Sequence, residues 1–315
     1  MKQWDIQKID NMKYSCFHYG LAEIANYYHR DYQMVFLELW GFFYSENNNR
    51  TIGENLDLYW INEDGRRERI LNEFHQIRYK KVSNQGRSEE FIEKMNEEIE
   101  KSPFVAYLDA FDCEWLPFYQ KQHLNHSIVI CGSCEEAFLF FDQYTKETLT
   151  LSKNFVKNHC NEFYSFEKKI QKEFSYQFLR DEFRNGIGIF DGRQMLKQLK
   201  QFIEDMKYRL DLQEEIIKED PTKSLLVMKL KYLSEDRYNL VEALEYIESK
   251  TSHNLIEAKN TLVELGALYD HIRSYIVKSA YLIKGLNHNV FDEQLCKLLE
   301  LETKLYELFR CYIIA

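Results

Sequence analysis

Residues 126–142 read HSIVICGSCEEAFLFFD. Two apolar runs, HSIVIC and AFLFFD, flank the five-residue connection GSCEE. Short apolar runs around such a connection carry the signal of a β-hairpin. If Cys131 pairs with Ala137, His126 falls opposite Asp142. Facing residues on one face of an antiparallel pair hold their Cβ atoms roughly 4.5–5.5 Å apart. The pattern predicts an imidazole and a carboxylate on neighbouring strands. It depends on register, because a slip of one residue sends a side chain to the other face.

Working outward, PFVAYLD over residues 103–109 reads as a third buried strand, entered through proline. Between it and His126 lies an irregular stretch holding Trp115, Pro117 and Phe118, read as a loop over a cleft. Far upstream, Leu21, Ile24, Ala25 and Tyr28 repeat at helical spacing. Ser15 is the expected N-cap, which puts Cys16 in the first turn. Further helices are predicted over Met34–Tyr44, Arg66–Arg78 and Ser88–Lys101, the last capped by Ser88, with loop and short strands at 45–65.

Near residue 190 the pattern changes to long amphipathic segments. Helices are predicted over Arg193–Lys218, Thr222–Lys250, Leu255–Leu286 and Asp292–Tyr312, with Asp220 and Pro221 breaking the first from the second. The expected fold class is α+β: a helix–sheet domain over 1–185 and a helical bundle over 186–315. The apolar stripes of the bundle read as core packing or as a homodimer interface.

Composition narrows the function. Of 315 residues, 45% are hydrophobic and 29% charged, with 22 Tyr and 22 Phe, which excludes a largely disordered chain. A net charge of −10 argues against nonspecific nucleic-acid binding. No apolar run reaches membrane-spanning length, so no membrane partner is expected. The opening MKQWDIQKID has no apolar signal core, and seven cysteines read as reduced thiols, so a cytoplasmic location is expected.

Cys16, His126 and Asp142 form the sharpest chemical constellation. A thiol nucleophile must ionise, and a helix N-terminus favours the thiolate. It also needs a base, oriented by a third group. Each residue has an ordinary reading as well: a buried small hydrophobe, a hydrogen-bonded strand residue, a turn carboxylate. The backbone N–H of Cys16 and the side chain of Asn11 are candidate oxyanion donors, Asn11 doubling as a turn residue. Asp109, with Asp112 and Glu114, forms an acidic group that reads as a solvated loop or as an amine-binding group. His123, His126, Cys131 and Cys134 offer a zinc-like reading, but only four residues separate the pairs. Three basic clusters, at 66–69, 78–81 and 168–172, read as solvated faces or as a dock for an acidic partner.

YSCFHYGLAEIANYY, PFVAYLDAF and NHSIVICGSCEEAFLFFDQ resemble the family of butirosin biosynthesis protein H over roughly residues 10–145. That family looks like a papain-fold offshoot related to bacteriocin-processing cysteine peptidases. The resemblance implies a papain-like fold, with Cys16 on an N-terminal helix and His126 and Asp142 on an antiparallel sheet, followed by a helical domain. It implies transfer of an acyl group from the phosphopantetheine arm of an acyl or peptidyl carrier protein to a small amine, with no bound cofactor and no metal. In that setting Trp115 and its loop would contact substrate and exclude water. Gln143 stands where the family commonly has Pro, and the family's glycine-rich stretch is reduced to Gly41. A cysteine peptidase or amidase, and a non-catalytic papain-like scaffold, are the alternatives.

Overall fold

The predicted hairpin lies at the centre of an antiparallel sheet. In a computed structural model of the chain its strands are β1 (Lys2–Gln3), β2 (Ile77–Ser83), β3 (Phe104–Asp109), β4 (Asn125–Ser133), β5 (Ala137–Phe141), β6 (Leu149–Ser152) and β7 (Cys160–Lys168). The order is β2-β7-β3-β4-β5-β6, with β1 paired to the end of β4. The structure describes all residues except 1, 10, 12, 58–64, 87, 146, 171, 174, 190–191, 283–286 and 315, and except the side chains of 88, 183–189, 192–193 and 313–314.

Side-chain alternation explains how the sheet is covered. Helix α1 (Cys16–Tyr27) lies on one face, and Gly20 is what lets it close in. A Cβ there would stand 2.9 Å from a Val105 methyl and 3.4 Å from one of Val129. Phe104, Ala106, Leu108, Ile128, Ile130, Phe138 and Phe140 share a second cluster with Phe91, Ile92, Met95 and Ile99 of α2 (Ser88–Ile99). These positions alternate with Val105 and Val129, as strand geometry requires. A one-residue shift in β3 or β4 would put both sets against the wrong helix. The proposed capping role of Ser88 lies outside the described side chains.

Beyond the short β1, three strands differ from the sequence reading. Ile77–Ser83 was expected to begin as helix, but Arg66–Ile70 passes into a π-turn at Leu71–His75, and Gln76 at φ 52° turns the chain back. Nothing in a glutamine announces a left-handed conformation. β6 and β7 are rich in polar residues and carry no strong apolar run. After β6 comes α3 (Lys153–His159), capped by Ser152, whose Oγ accepts the Phe155 N–H at 3.1 Å.

The chain divides into two compact units: Met1–Tyr32 with Arg66–Glu173, and Gln33–Gly65 with Phe174–Ala315. The expected boundary at 185/186 is therefore redrawn, and residues 33–65 move to the helical unit. The predicted helix at Met34–Tyr44 is a 3-10 segment, Gln33–Leu39, followed by a strand, Phe43–Tyr44, paired with Leu56–Asp57. The helical unit contains α4 (Tyr176–Ile189), α5 (Gly192–Tyr208), α6 (Leu225–Lys250), α7 (Ile256–Tyr281) and α8 (His288–Ile314). The helix expected over 193–218 ends at Tyr208, and Asp211 caps a separate single turn, Leu212–Glu215. Asp220 and Pro221 break the chain as predicted.

Arg237 explains why residues 33–44 belong here. Its guanidinium is fully buried and donates to the carbonyls of Leu39 and Gly41, at 3.2 and 3.3 Å. Its Nε and Nη2 reach Glu302 Oε1 at 2.9 and 2.8 Å, and the Tyr269 hydroxyl donates to the same oxygen at 3.0 Å. Trp40 packs on Tyr306 and Phe309, and Phe42 on Phe202. No helix among the described residues is long and apolar enough to cross a membrane.

Removing one member of a buried ion pair strands its partner's charge, which typically costs roughly 3–5 kcal/mol. Arg237→Met is expected to destabilise the helical unit by about that amount in urea unfolding. The double variant Arg237→Met/Glu302→Leu is expected to recover most of the loss.

Candidate active site

Helix α1 begins at Cys16 because Ser15 ends the preceding extended segment. Ser15 Oγ accepts the His18 N–H at 3.3 Å and lies 2.8 Å from His18 Nδ1. No acidic side chain occupies the first turn, so the partial positive charge of the helix start is left to the thiol. Cys16 itself is half-buried. It precedes Gly20 by one helical turn, about 6 Å. Ser127 precedes Val129 by two strand residues, about 6.7 Å, and is the cross-strand partner of Tyr107. Cys16 bears on the ionisation of Tyr107, and Ser127 on that of Cys16, so the helix start faces this pair as Gly20 faces Val129 and Val105.

His126 opens β4 and is buried, while Asp142 follows β5 and is 1% exposed. Asp142 Oδ2 lies 3.0 Å from His126 Nε2. The pairing that brings them together is not the expected one. Val129 faces Phe141 and Ile130 faces Phe140, then a bulge at Cys131 shifts the ladder to Gly132–Leu139 and Ser133–Phe138. The connection is shortened to three residues, Cys134–Glu136. At His126 the register is displaced by two from the expected one. A displacement of two keeps both side chains on the same face, so they meet as diagonal rather than direct neighbours. The bulge coincides with the docking of β1: the Trp4 N–H donates to the Cys131 carbonyl at 2.7 Å, and a Cβ on Gly132 would run into the Lys2 carbonyl.

Trp115 adds a fourth member. Its indole N–H donates to Asp142 Oδ2 at 2.6 Å, and its ring lies 4.6 Å from that of Phe140. The Tyr144 N–H donates to Asp142 Oδ1, also at 2.6 Å. Expected to line the substrate cleft, Trp115 instead holds the carboxylate that orients the histidine. Asp109 is likewise taken up by the fold. Its carboxylate accepts from the N–H groups of Phe111 (3.0 Å) and Leu124 (3.3 Å) and pairs with His123 Nδ1 at 2.7 Å. It thus fastens both ends of the loop that presents Trp115. The side chain of Asn11 forms a turn, accepting the Lys13 N–H at 3.0 Å.

The zinc-like residues go to different partners. His123 serves Asp109, His126 serves Asp142, and Cys131 is buried with its thiol toward the Leu139 carbonyl. Among the described residues no group of His, Cys, Asp and Glu side chains is arranged to hold a metal ion. The basic clusters are interleaved with carboxylates: Arg78 with Glu68, Lys81 with Glu162, Lys169 with Glu167, and Lys172 with Glu73. No protein-family model matches the chain, and no curated protein sequence matches it significantly.

Electrostatics separate Cys16 from the other thiols. Burial opposes its ionisation, but hydrogen bonding and charge from His126, with a further contribution from Ser127, outweigh burial and hold its pKa below the ordinary thiol value. Burial disfavours the imidazolium of His126. Its hydrogen bonds to Asp142 and Cys16 win, and the pKa is raised to about 9. Cys113, Cys131 and Cys160 are driven the other way by burial, to about 12, 11 and 12. The shifts of Cys16 and His126 both favour the thiolate–imidazolium pair over the neutral one. Because the His126 pKa is raised on folding, its contribution to stability is complete below about pH 6.5 and is lost as pH rises through about 9.

Two residues of the site escape the sequence reading: Ser127, and Trp115 in the role it has here. The signal for Ser127 was a single hydroxyl in an otherwise apolar strand. Asp142→Asn is expected to bring the proton loss of His126 from about pH 9 toward neutrality, seen as a step in the Cys16 alkylation profile that moves to lower pH. Iodoacetamide labelling quantified at Cys16 by mass spectrometry checks this, with buried Cys113 and Cys160 as unreactive references.

Proposed function

We propose that the chain is a cysteine-dependent acyltransferase of papain-like architecture, forming an amide from a carrier-protein-bound thioester and a small amine. What supports this reading is the hydrogen-bonded His126–Asp142 pair, with the indole of Trp115 fixing the carboxylate and with Cys16 near enough to His126 for each to shift the other's ionisation. The chain order Cys, His, Asp, the cysteine at a helix start and the histidine at the head of a strand agree with the resemblance noted in the sequence.

In the proposed reaction, Cys16 thiolate attacks the carbonyl carbon of the donor thioester. The carbon–sulfur bond to pantetheine breaks, and the departing thiolate takes the proton held by His126 imidazolium. The backbone N–H of Cys16, at the start of α1, is the candidate donor to the tetrahedral oxyanion. The acceptor amine then attacks the acyl-Cys16 carbonyl and gives a proton to neutral His126. The second carbon–sulfur bond breaks, releasing the amide and restoring the thiolate–imidazolium pair. Exchange of one thioester for another is close to isoenergetic, so amide formation supplies the drive. The phosphopantetheine arm enters as part of the substrate. The carrier and the amine come from the resemblance alone.

Intact-protein mass spectrometry after incubation with an acyl-pantetheine thioester tests the reading. Wild type is expected to gain one acyl group and Cys16→Ala none, and added amines should discharge the adduct as amides. Discharge to free acid at the same rate with and without amine would make the chain a hydrolase. Absence of an adduct even from a carrier-bound donor would favour a binding scaffold.

A further inference from the structure

Ser127 is 2% exposed, and its hydroxyl oxygen has no conventional hydrogen-bond partner in the protein. A buried hydroxyl in a strand ordinarily finds an acceptor, since leaving it unpaired costs about 1–3 kcal/mol. Ser127 follows His126 in β4 and faces Tyr107 across the ladder, and both Ser127 and Tyr107 interact electrostatically with Cys16 at the start of α1. Cys16 is the neighbour whose ionisation Ser127 favours.

We propose that Ser127 is the donor that holds the Cys16 sulfur in place as an anion, through its hydroxyl and its backbone N–H. This rests on the reading of Cys16 as the nucleophile and adds a residue to that site. The role is one of positioning. His126 supplies the proton and the counter-charge, whereas Ser127 supplies neutral donors that do not titrate. The distinction matters at the second step. When the amine adduct collapses, the electron pair of the breaking carbon–sulfur bond returns to Cys16, and a waiting hydroxyl stabilises the departing thiolate. His126 alone cannot do both jobs, because at that moment it is receiving the proton from the amine.

Other ionisable groups around the sulfur must be separated from this effect. His126 and, through it, Asp142 stand on the β4–β5 side. Tyr107 comes from β3, and beyond it lie Arg67, Tyr164 and Glu162. On α1 itself, His18 is engaged by Ser15. Changing Ser127 removes a hydrogen-bond donor without altering any of these charges.

The test is the pH dependence of Cys16 alkylation by iodoacetamide in the full chain, resolved by residue with mass spectrometry. Ser127→Ala is expected to move the rise of Cys16 alkylation with pH about one unit higher while leaving the alkaline plateau unchanged, the signature of a thiol that ionises later. Ser127→Thr and Ser127→Val form an isosteric pair, so any effect of bulk on folding is shared between them. Thr is expected to follow wild type, and Val to follow Ala. Profiles for Ala and Val that coincide with an early-ionising wild type would overturn the role of Ser127 and leave the site intact. A wild-type Cys16 profile no different from that of exposed Cys296 would instead overturn the site reading, and this proposal with it.

Discussion

A carboxylate buried to 1% exposure needs hydrogen-bond donors in place of the water it has lost. Asp142 is met by three: the imidazole of His126, the indole of Trp115 and the backbone N–H of Tyr144. Each donor requires something of the fold. His126 must open β4, Tyr144 must follow in the turn after β5, and Trp115 must be delivered by a loop that has no regular structure of its own. That last requirement is satisfied by Asp109, which ties the two ends of the loop together through Phe111, Leu124 and His123. The relay to Cys16 therefore begins two carboxylates away from the sulfur. A change at Asp109 would act on the thiol only through the placement of Trp115.

The same electrostatic rule governs the helical unit with a different outcome. Arg237 and Glu302 are both buried, and Tyr269 and two backbone carbonyls complete the pair. A guanidinium does not deprotonate at accessible pH, so this pair can only hold structure. An imidazolium held near pH 9 can give up its proton within the working range, so the His126–Asp142 pair can do chemistry. Equivalent burial yields a clamp in one unit and a relay in the other. The difference lies in the cation.

The sequence revealed what depends on periodicity and on caps. The helix start at Cys16, the central strands and the long C-terminal helices follow from apolar spacing and from Ser15, Asp220 and Pro221. The contact between His126 and Asp142 was also legible, although the register proposed for it was wrong by two. Parity was the robust part of that inference, since only an odd slip would have separated the pair. What stayed hidden depends on tertiary partners. The Cys131 bulge coincides with the docking of a strand more than a hundred residues earlier in the chain. Residues 33–44 were read into the wrong unit because the feature that claims them is a buried arginine nearly two hundred residues later. Trp115 reads as any aromatic in an irregular loop until its N–H is seen on Asp142. β2 and β7 alternate apolar with charged residues near basic clusters, and charge obscured their strand character.

In the proposed reaction, His126 must be protonated at the first step and neutral at the second. The relay provides for this without an external signal. Two of the influences holding His126 near pH 9 come from Cys16, namely a hydrogen bond and a negative charge. Acylation turns the thiolate into a neutral thioester and removes both. Only Asp142 then supports the imidazolium, while burial continues to oppose it, so the pKa falls once the acyl group is on the enzyme. Histidine thus becomes a base when an amine needs one. When the amide leaves and the thiolate returns, the lost terms return with it, and the proton taken from the amine is retained as the imidazolium of the resting pair. A Cys–His–Asp relay with a strongly coupled thiolate is in this way set by its own covalent state.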